Sequence, residues 1–293
     1  MPGKLKEVRN RIKSVQSTQQ ITKAMKMVSA AKLRRAQDAI IQMRPYARKL
    51  QELLQHIVHN YQGDAGRQYI INRPVEKVLI VVITSDRGLC GAYNASLIRL
   101  AKQLVHERYA AQQARGQVYI MPIGKKGYDH FVKYKFQVIP DHWQVFYHLN
   151  FETVRQAAHT AIQGFLDHRW DVVELVYSEF KNAATQRFVV ERFLPVEPAQ
   201  AQQTKSHINF LFEPSEDQLI EELIPRILNT QFFKAVLDAH ASEHGARMTA
   251  MDKASENASE ILKTLRISYN RARQAAITTE LTEIVSGAAA LKG

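Results

Sequence analysis

The sequence from Tyr269 to Gly293 reads YNRARQAAITTELTEIVSGAAALKG, and the organisation predicted for the whole chain follows from it. It favours helix as far as Val285, because it contains no proline and its first glycine is Gly287. It then finishes on small apolar residues, whereas a chain end is normally polar and frayed. We therefore expect a long helix whose end is inserted into a partner.

A second long helix is predicted at the other end of the chain. Apolar residues there recur at alternating spacings of three and four, the pattern of a helix packed along one side. One stripe is Leu5, Val8, Ile12 and Val15; the other is Leu33, Ala36, Ile40, Met43, Ala47, Leu50, Leu54 and Ile57. The eighteen steps between Val15 and Leu33 suggest a stutter, so we expect the middle of the helix to change its partner face. Pro45 is expected to kink this helix or to end its regular part.

The N-terminal helix carries most of the excess positive charge of the chain. The formal net charge is +12, and residues 1–60 hold thirteen Lys and Arg against three acids. Such a run is often only a solvated helix face, but it also suits nucleic acid, a phospholipid surface or an acidic protein. Three binding classes therefore stay open at this point.

Between the two helices, the pattern changes to short apolar strands alternating with helices. Strands are predicted at 77–84, 117–123, 136–139, 172–178, 187–193 and 208–212, with helices between most of them. Alternation of this kind indicates an open, mostly parallel sheet with helices on both faces, a Rossmann-like arrangement. A segment rich in Pro, Gln and Ala, 195–207, is expected to be an exposed connector.

The expected fold class is therefore α/β plus long helices. An antiparallel coiled coil of the N- and C-terminal helices brackets an open, mostly parallel α/β domain. The predicted boundaries are 1–62 for the first helix, 75–194 for the α/β domain, 195–215 for the connector and 216–293 for the second helix. At Pro225 and Gly245 we expect a kink and a loosened turn within that last helix.

Several patterns resemble catalytic or metal sites but lack essential parts. Gly88-Leu89-Cys90-Gly91 follows a strand, yet the third glycine of a dinucleotide motif and the Gly-Lys-Ser/Thr ending of a phosphate-binding loop are missing. His240 and His244 stand four residues apart without a third ligand in register. No serine or cysteine lies in a recognisable nucleophile motif. We expect no catalytic, cofactor-binding or metal site in this chain.

The sequence also predicts no membrane span, signal peptide or internal disulfide. The longest aliphatic run, 78–83, is far shorter than the roughly 20 residues that cross a bilayer. The basic N-terminus is not followed by an apolar segment or a cleavage site. A single cysteine, Cys90, is typical of a reducing compartment.

Three stretches in the expected order resemble the gamma subunit of the rotary F-type ATP synthase. They are ITKAMKMVSAAKLRRAQ at 21–37, TSDRGLCG at 84–91, and the tail from 269 to 290. Thr279, Ser286, Asp252 and Lys253 depart from the usual family pattern. The lack of a transit peptide and of an inserted cysteine-bearing segment in the α/β domain indicates the bacterial form.

The resemblance implies a non-catalytic rotor shaft that couples ion flow to ATP synthesis. It implies as partners three alpha and three beta subunits, an epsilon subunit and a membrane ring of c subunits, at the cytoplasmic face of the bacterial inner membrane. No nucleic acid and no cofactor is implied. A basic coiled-coil protein that binds nucleic acid and a nucleotide-dependent α/β enzyme remain as alternatives.

The resemblance also implies three groups of contact residues. Those that meet beta are Met25, Lys26, Lys32, Arg35, Arg271, Gln274, Thr278 and Glu280. Those that form an apolar, weakly directional bearing at the tip are Ala288, Ala289, Ala290 and Leu291. Those near the c ring are Phe210, Phe212 and Glu213.

Overall fold

A computed structural model describes residues 2–60, 66–71, 73–183, 185–196 and 216–290. Its longest elements are helix α1, Pro2–Asn60, and helix α6, Glu216–Ala290. The elements between them are, in chain order, β1 (Val78–Ile83), α2 (Tyr93–Arg108), α3 (Ala110–Ala114), β2 (Val118–Ile123), α4 (Lys125–Lys133), β3 (Gln137–Val138), α5 (Phe151–Leu166), β4 (Val172–Phe180) and β5 (Gln186–Leu194). Single 3-10 turns lie at Arg67–Tyr69 and Val145–His148.

The chain divides into two compact units, and both long helices contribute to each. Unit one consists of Met1–Ser29 and Arg247–Gly293; unit two is Ala30–Ala246. Unit one is therefore built from the beginning of α1 and the end of α6. Unit two contains the sheet, the shorter helices and the remaining parts of α1 and α6.

The sheet of unit two has five strands in the order β3-β2-β1-β4-β5. Strands β1 to β4 pair in parallel, and β5 pairs antiparallel with β4. All six residues of β1 are buried, as expected for a central parallel strand with both faces covered. The prediction of an open, mostly parallel α/β sheet between long helices is confirmed.

Each face of the sheet packs against a separate set of apolar side chains. One face, including Leu79, Val81 and Ile83, packs with α5 and with parts of α1 and α6. The other, including Val78, Ile80 and Val82, packs mainly with α2. Unit two therefore buries its segments of the long helices in the same core as the sheet.

Along α1, the buried side follows one unbroken alternation of three and four residues. The positions of this alternation, all of them buried or partly buried, are 5, 8, 12, 15, 19, 22, 26, 29, 33, 36, 40, 43, 47, 50 and 54. The predicted stutter is wrong, because eighteen steps are the distance between two positions of one continuous heptad pattern. Positions 19, 22, 26 and 29 were not recognised as part of the heptad pattern, because polar residues occupy them.

Both long helices continue through the three residues at which a kink was predicted, so α1 does not end its regular part at Pro45. Pro45 lies inside α1, and Pro225 and Gly245 lie inside α6. The predicted strand at 208–212 falls outside the described residues. None of the helices in the described part of the chain has a stretch long and apolar enough to cross a membrane.

Gly164 near the end of α5 allows a large aromatic side chain to pack directly on the helix. Trp170 is buried and its indole N–H donates to the carbonyl oxygen of Ala161 at 2.8 Å. A Cβ at Gly164 would lie 2.0 Å from the Trp170 ring. Because both partners are fixed in the core, this position has no room for a methyl group.

We expect Gly164→Ala to destabilise unit two by about 1–3 kcal/mol, since the added methyl group displaces a buried tryptophan. Urea unfolding followed by the fluorescence of Trp143 and Trp170, the two tryptophans of the chain, measures the change. Gly287→Ala is the matched control, because nothing lies within 4 Å of a Cβ there. Equal stability of wild type and Gly164→Ala would contradict this account of the core.

Candidate partner-binding surfaces

Within unit one, α1 and α6 are antiparallel and hold a constant register. Among the described residues, contacts between side chains of the two helices include four in which the two residue numbers add up to 277 or 278. These contacts are Arg9 to Tyr269 at 3.1 Å, Gln19 to Ser259 at 2.5 Å, Thr22 to Ser255 at 2.7 Å and Lys26 to Asp252 at 2.5 Å. The predicted antiparallel pairing of the terminal helices is therefore confirmed in this unit.

Three of these contacts form a continuous polar stretch in the seam between the helices. We call Gln19, Thr22, Lys26, Asp252, Ser255 and Ser259 the polar seam. Its centre is the pair of buried hydroxyl groups of Thr22 and Ser255, 8% and 6% exposed. Sequence reading missed these residues as a group, although the heptad positions of α1 lead directly through three of them.

Apolar side chains lie on the outside of unit one at the same level. Ile21, Met27 and Val28 of α1 are 59%, 71% and 57% exposed. A pair of helices has only one shared seam, so residues on the other faces have nothing within the unit to pack against. An isolated coiled coil has apolar groups between its helices and polar groups outside. Unit one has the reverse arrangement at this level, which indicates a surface that a partner covers.

The end of α6 extends past the start of α1. On the observed register, Pro2 lies opposite residue 276, so the later residues of α6 have no counterpart in α1. Every residue from 280 to 288 is exposed. Leu281, Ile284 and Val285 are 58%, 67% and 66% exposed, which gives this single helix a second uncovered apolar surface.

Of the eight residues predicted to contact beta, most are directed to solvent. Arg271, Gln274, Thr278 and Glu280 are exposed, and the Thr278 hydroxyl donates to the carbonyl oxygen of Gln274 at 3.0 Å.

The other four predicted contacts differ among themselves. Lys32 and Arg35 are exposed and make no ion pair within the described residues, whereas Met25 is only partly exposed. Lys26 is held by Asp252 within the chain. Lys26 is thus the one member of the set for which an internal ion pair is seen.

The predicted tip and c-ring residues are only partly within the described part. Ala288 is exposed on α6, and Ala289 and Ala290 complete that helix. Leu291 of the tip lies outside the described residues. So do Phe210, Phe212 and Glu213.

In unit two, Lys32 and Arg35 lie at a cleft between α1 and α6 of about 730 Å³. Ala36, Ala39, Met43, Leu149, Phe233 and Leu237 provide its apolar lining. None of its lining residues is acidic, so its charged groups are both cations. The cleft therefore suits a partner group that is apolar with a negative charge at one end.

The carboxyl edge of the sheet is closed by the chain's own side chains. The backbone N–H of Lys125, at the start of α4, donates to Asp86 Oδ1 at 3.0 Å. The Ser85 N–H donates to Asn94 Oδ1 at 2.9 Å. A carboxylate therefore occupies the helix N-terminus where a phosphate binds in nucleotide-binding sheets of this kind.

The two histidines of α6 form a pair without the further ligands of a metal site. The Nε2 atoms of His240 and His244 are 3.1 Å apart, and the His240 ring stacks on Phe146. No group of three or more His, Cys, Asp and Glu that could hold a metal ion occurs among the described residues. The pair is part of the packing between α6 and its neighbours.

In unit two, the buried carboxyl group of Asp238 on α6 lies near Arg44 of α1. Asp238 is 1% exposed; one of its oxygens lies 3.9 Å from the Arg44 guanidinium, which also donates to the carbonyl oxygen of Phe180 at 3.0 Å. Burial raises the pKa of Asp238 to about 6, although Lys234 and Arg44 oppose this. The group is therefore ionised at neutral pH at a cost in stability.

Comparison with known proteins decides the family. The ATP synthase family model matches residues 4–291. The ATP synthase gamma chain of Cytophaga hutchinsonii is 50% identical over 99% of both chains. The gamma chain of Chlorobaculum parvum is 48% identical over 98% of this chain and 99% of its own. The chain belongs to the ATP synthase gamma-chain family.

Solved structures agree with this membership in the gamma-chain family. A chain from the central stalk and c-ring structure of the Tetrahymena thermophila mitochondrial ATP synthase is 26% identical, with a TM-score of 0.56. The match covers 80% of this chain and 99% of that one. A chain from the Euglena gracilis mitochondrial ATP synthase is 21% identical with a TM-score of 0.67, covers 99% of this chain and 95% of that one, and shares its fold.

We expect Asp238→Asn to be more stable than wild type at pH 7.5, and this advantage to fade as the pH falls from about 6.5 to 4. The folded-state pKa lies above the unfolded value of about 3.9, so the folded protein binds the proton more tightly and wild type gains up to about 3 kcal/mol over that interval. Urea unfolding of both proteins across this pH range measures the difference. A pH-independent difference, or one that grows on acidification, would contradict the raised pKa.

Proposed function

We propose that this chain is the central rotor shaft of a bacterial F-type ATP synthase. It couples ion flow through a ring of c subunits to ATP synthesis or hydrolysis at the catalytic sites of beta, and it carries no catalytic site itself. Membership in the gamma-chain family supports this proposal. The observation that carries it is that unit one has two uncovered apolar surfaces, one on α1 beside the polar seam and one on α6 past the start of α1.

A surrounding ring of subunits explains why these apolar residues are tolerated. Ile284 and Val285 are about two-thirds exposed, and no other element of unit one can reach them. An apolar contact is weakly directional, so a collar can cover such a surface without holding it in one orientation. We therefore assign Ala288, Ala289, Ala290 and Leu291 to the apical bearing.

Charged and hydrogen-bonding groups supply the contacts that change as the shaft turns. A rotor shifts the conformations of its catalytic partners only through contacts that differ between those conformations. The solvent-directed Arg271, Gln274 and Glu280 suit this role, as do Lys32 and Arg35 at the basic edge of the cleft. With Met25, Lys26 and Thr278 they form the proposed contact set with beta.

The remaining partners follow from the same family assignment. Three alpha and three beta subunits surround the helices 1–62 and 216–293. The α/β domain, 75–194, and the connector, 195–215, stand on the c ring beside epsilon, with Phe210, Phe212 and Glu213 on the c-ring side. The complex lies at the cytoplasmic face of the inner membrane, and this subunit contacts the membrane only through its partners.

We expect the double variant Leu281→Asn with Ile284→Asn to unfold like wild type but to assemble poorly with alpha and beta. Both side chains are largely exposed in the chain alone, so their loss removes only contacts to a partner. Gel filtration of mixtures with alpha and beta measures assembly, and ATPase activity measures its consequence.

Val132→Asn is the matched control, because Val132 is an exposed apolar residue on α4 of unit two. It should assemble normally. Full assembly of the Leu281→Asn and Ile284→Asn variant would refute the role of this surface. Failure of the wild-type chain to join alpha and beta at all would refute the rotor assignment itself.

A further inference from the structure

The polar seam occupies the middle of a heptad pattern that is otherwise apolar. On α1, the seam positions before it are Leu5, Val8, Ile12 and Val15, and those after it are the buried Ser29 and then the apolar series that begins with Leu33. On α6, Ala258 and Leu262 alternate with the seam residues Ser255 and Ser259. Polar groups at buried seam positions reduce the apolar area that stabilises a helix pair, so their presence calls for a different explanation.

Apolar contacts alone discriminate weakly between alternative registers of two paired helices. A displacement by one heptad returns apolar seam residues to similar neighbours, because the pattern repeats every seven residues. In one direction, such a displacement sets Thr22 opposite Leu262; in the other, it sets Ser255 opposite Val15. Either way, the Thr22–Ser255 pair is lost and the Thr22 hydroxyl faces an apolar residue, Leu262 or Met248; in the first setting Ser255 meets Ser29 instead.

Each contact of the polar seam is directional and specific to the observed setting. Thr22 and Ser255 share a hydrogen bond of 2.7 Å, and Gln19 donates to Ser259 at 2.5 Å. All the contacts form together only when residue numbers add up to 277 or 278.

The Lys26–Asp252 ion pair closes the series one turn further along α1. Both of its side chains are nearly half exposed, so the pair adds little stability but selects one partner position.

We infer that the polar seam fixes the register and the relative rotation of α1 and α6 in unit one. Lys26 and Asp252 are thereby positioning residues of the helix pair. The consequence for function rests on the proposed rotor role. A shaft made of two helices transmits rotation only if one helix does not slip along the other. The polar seam then lowers the stability of the helix pair somewhat, but it keeps the two helices in one register while torque acts on them.

Cross-linking in the full-length chain tests the register directly. In a Cys90→Ser background, Ile12→Cys with Leu265→Cys reports the observed register, whereas Ile12→Cys with Ala258→Cys or with Ala272→Cys reports the registers displaced by one heptad. We expect Thr22→Val with Ser255→Ala to keep or raise the melting temperature while the native cross-link loses roughly half its yield or more to the displaced ones.

Thr18→Val with Ser268→Ala is the matched control, because it makes the same chemical changes at exposed positions of the same two helices. It should leave all three yields unchanged. An unaltered cross-link pattern in the Thr22 and Ser255 variant would overturn the inference, whatever the role of the chain in its complex.

Charge reversal separates the positioning role of Lys26 from a direct contact with beta. In the complex with alpha and beta, Lys26→Glu and Asp252→Lys should each lower the ATPase rate several-fold, and the double variant should recover most of the loss because the ion pair is restored. Single reversals that change nothing would show that this pair positions nothing. Failure of the double variant to recover would assign Lys26 to the beta contact instead.

Discussion

Two helices packed side by side can bury only one stripe of each, and this limit governs unit one. Among the described residues, α1 and α6 there have no third element to cover their other faces. Apolar residues such as Ile21, Val28 and Ile284 therefore remain exposed, although the seam itself contains polar groups. A chain that must be surrounded by other subunits can keep this distribution, whereas a protein that works alone would aggregate through it.

In unit two, the same two helices pack against other elements of the fold. It packs their inner segments into the core that covers one face of the parallel sheet, so Leu50 and Leu54 of α1 share a cluster with Ile220 and Ile224 of α6. The sheet has the strand order of nucleotide-binding folds, yet Asp86 occupies the start of α4 where a phosphate would bind. The position that binds phosphate in such folds is therefore filled by the chain itself.

Much of the fold could be predicted from periodicity. The apolar heptads predicted the N-terminal helix, helix propensity predicted the C-terminal one, and the buried β-branched runs predicted the strands of a mostly parallel sheet. The alternative that Pro45 ends the regular part of α1 was wrong, because a proline inside a packed helix has the same local signature as one that ends a helix. The polar positions 19, 22, 26 and 29 of α1 were misread as a stutter, since an apolar pattern says nothing of the hydroxyl and ion pairs that form across a seam.

Less of the candidate site than of the fold could be predicted from the sequence. Resemblance supplied Arg271, Gln274 and Glu280, whose exposure suits a partner contact, but it could not show that Lys26 already pairs with Asp252. That contact joins residues more than two hundred positions apart, so only the antiparallel register reveals it. The raised pKa of Asp238 depends in the same way on burial that no local motif signals.

The central claim is that this chain turns inside its partners. A bead attached through Lys133→Cys on α4, in a Cys90→Ser chain assembled with alpha and surface-immobilised beta, makes that motion visible in single molecules. On addition of ATP, we expect continuous rotation of the bead in one direction. A bead that stays fixed while the same complexes hydrolyse ATP would contradict it.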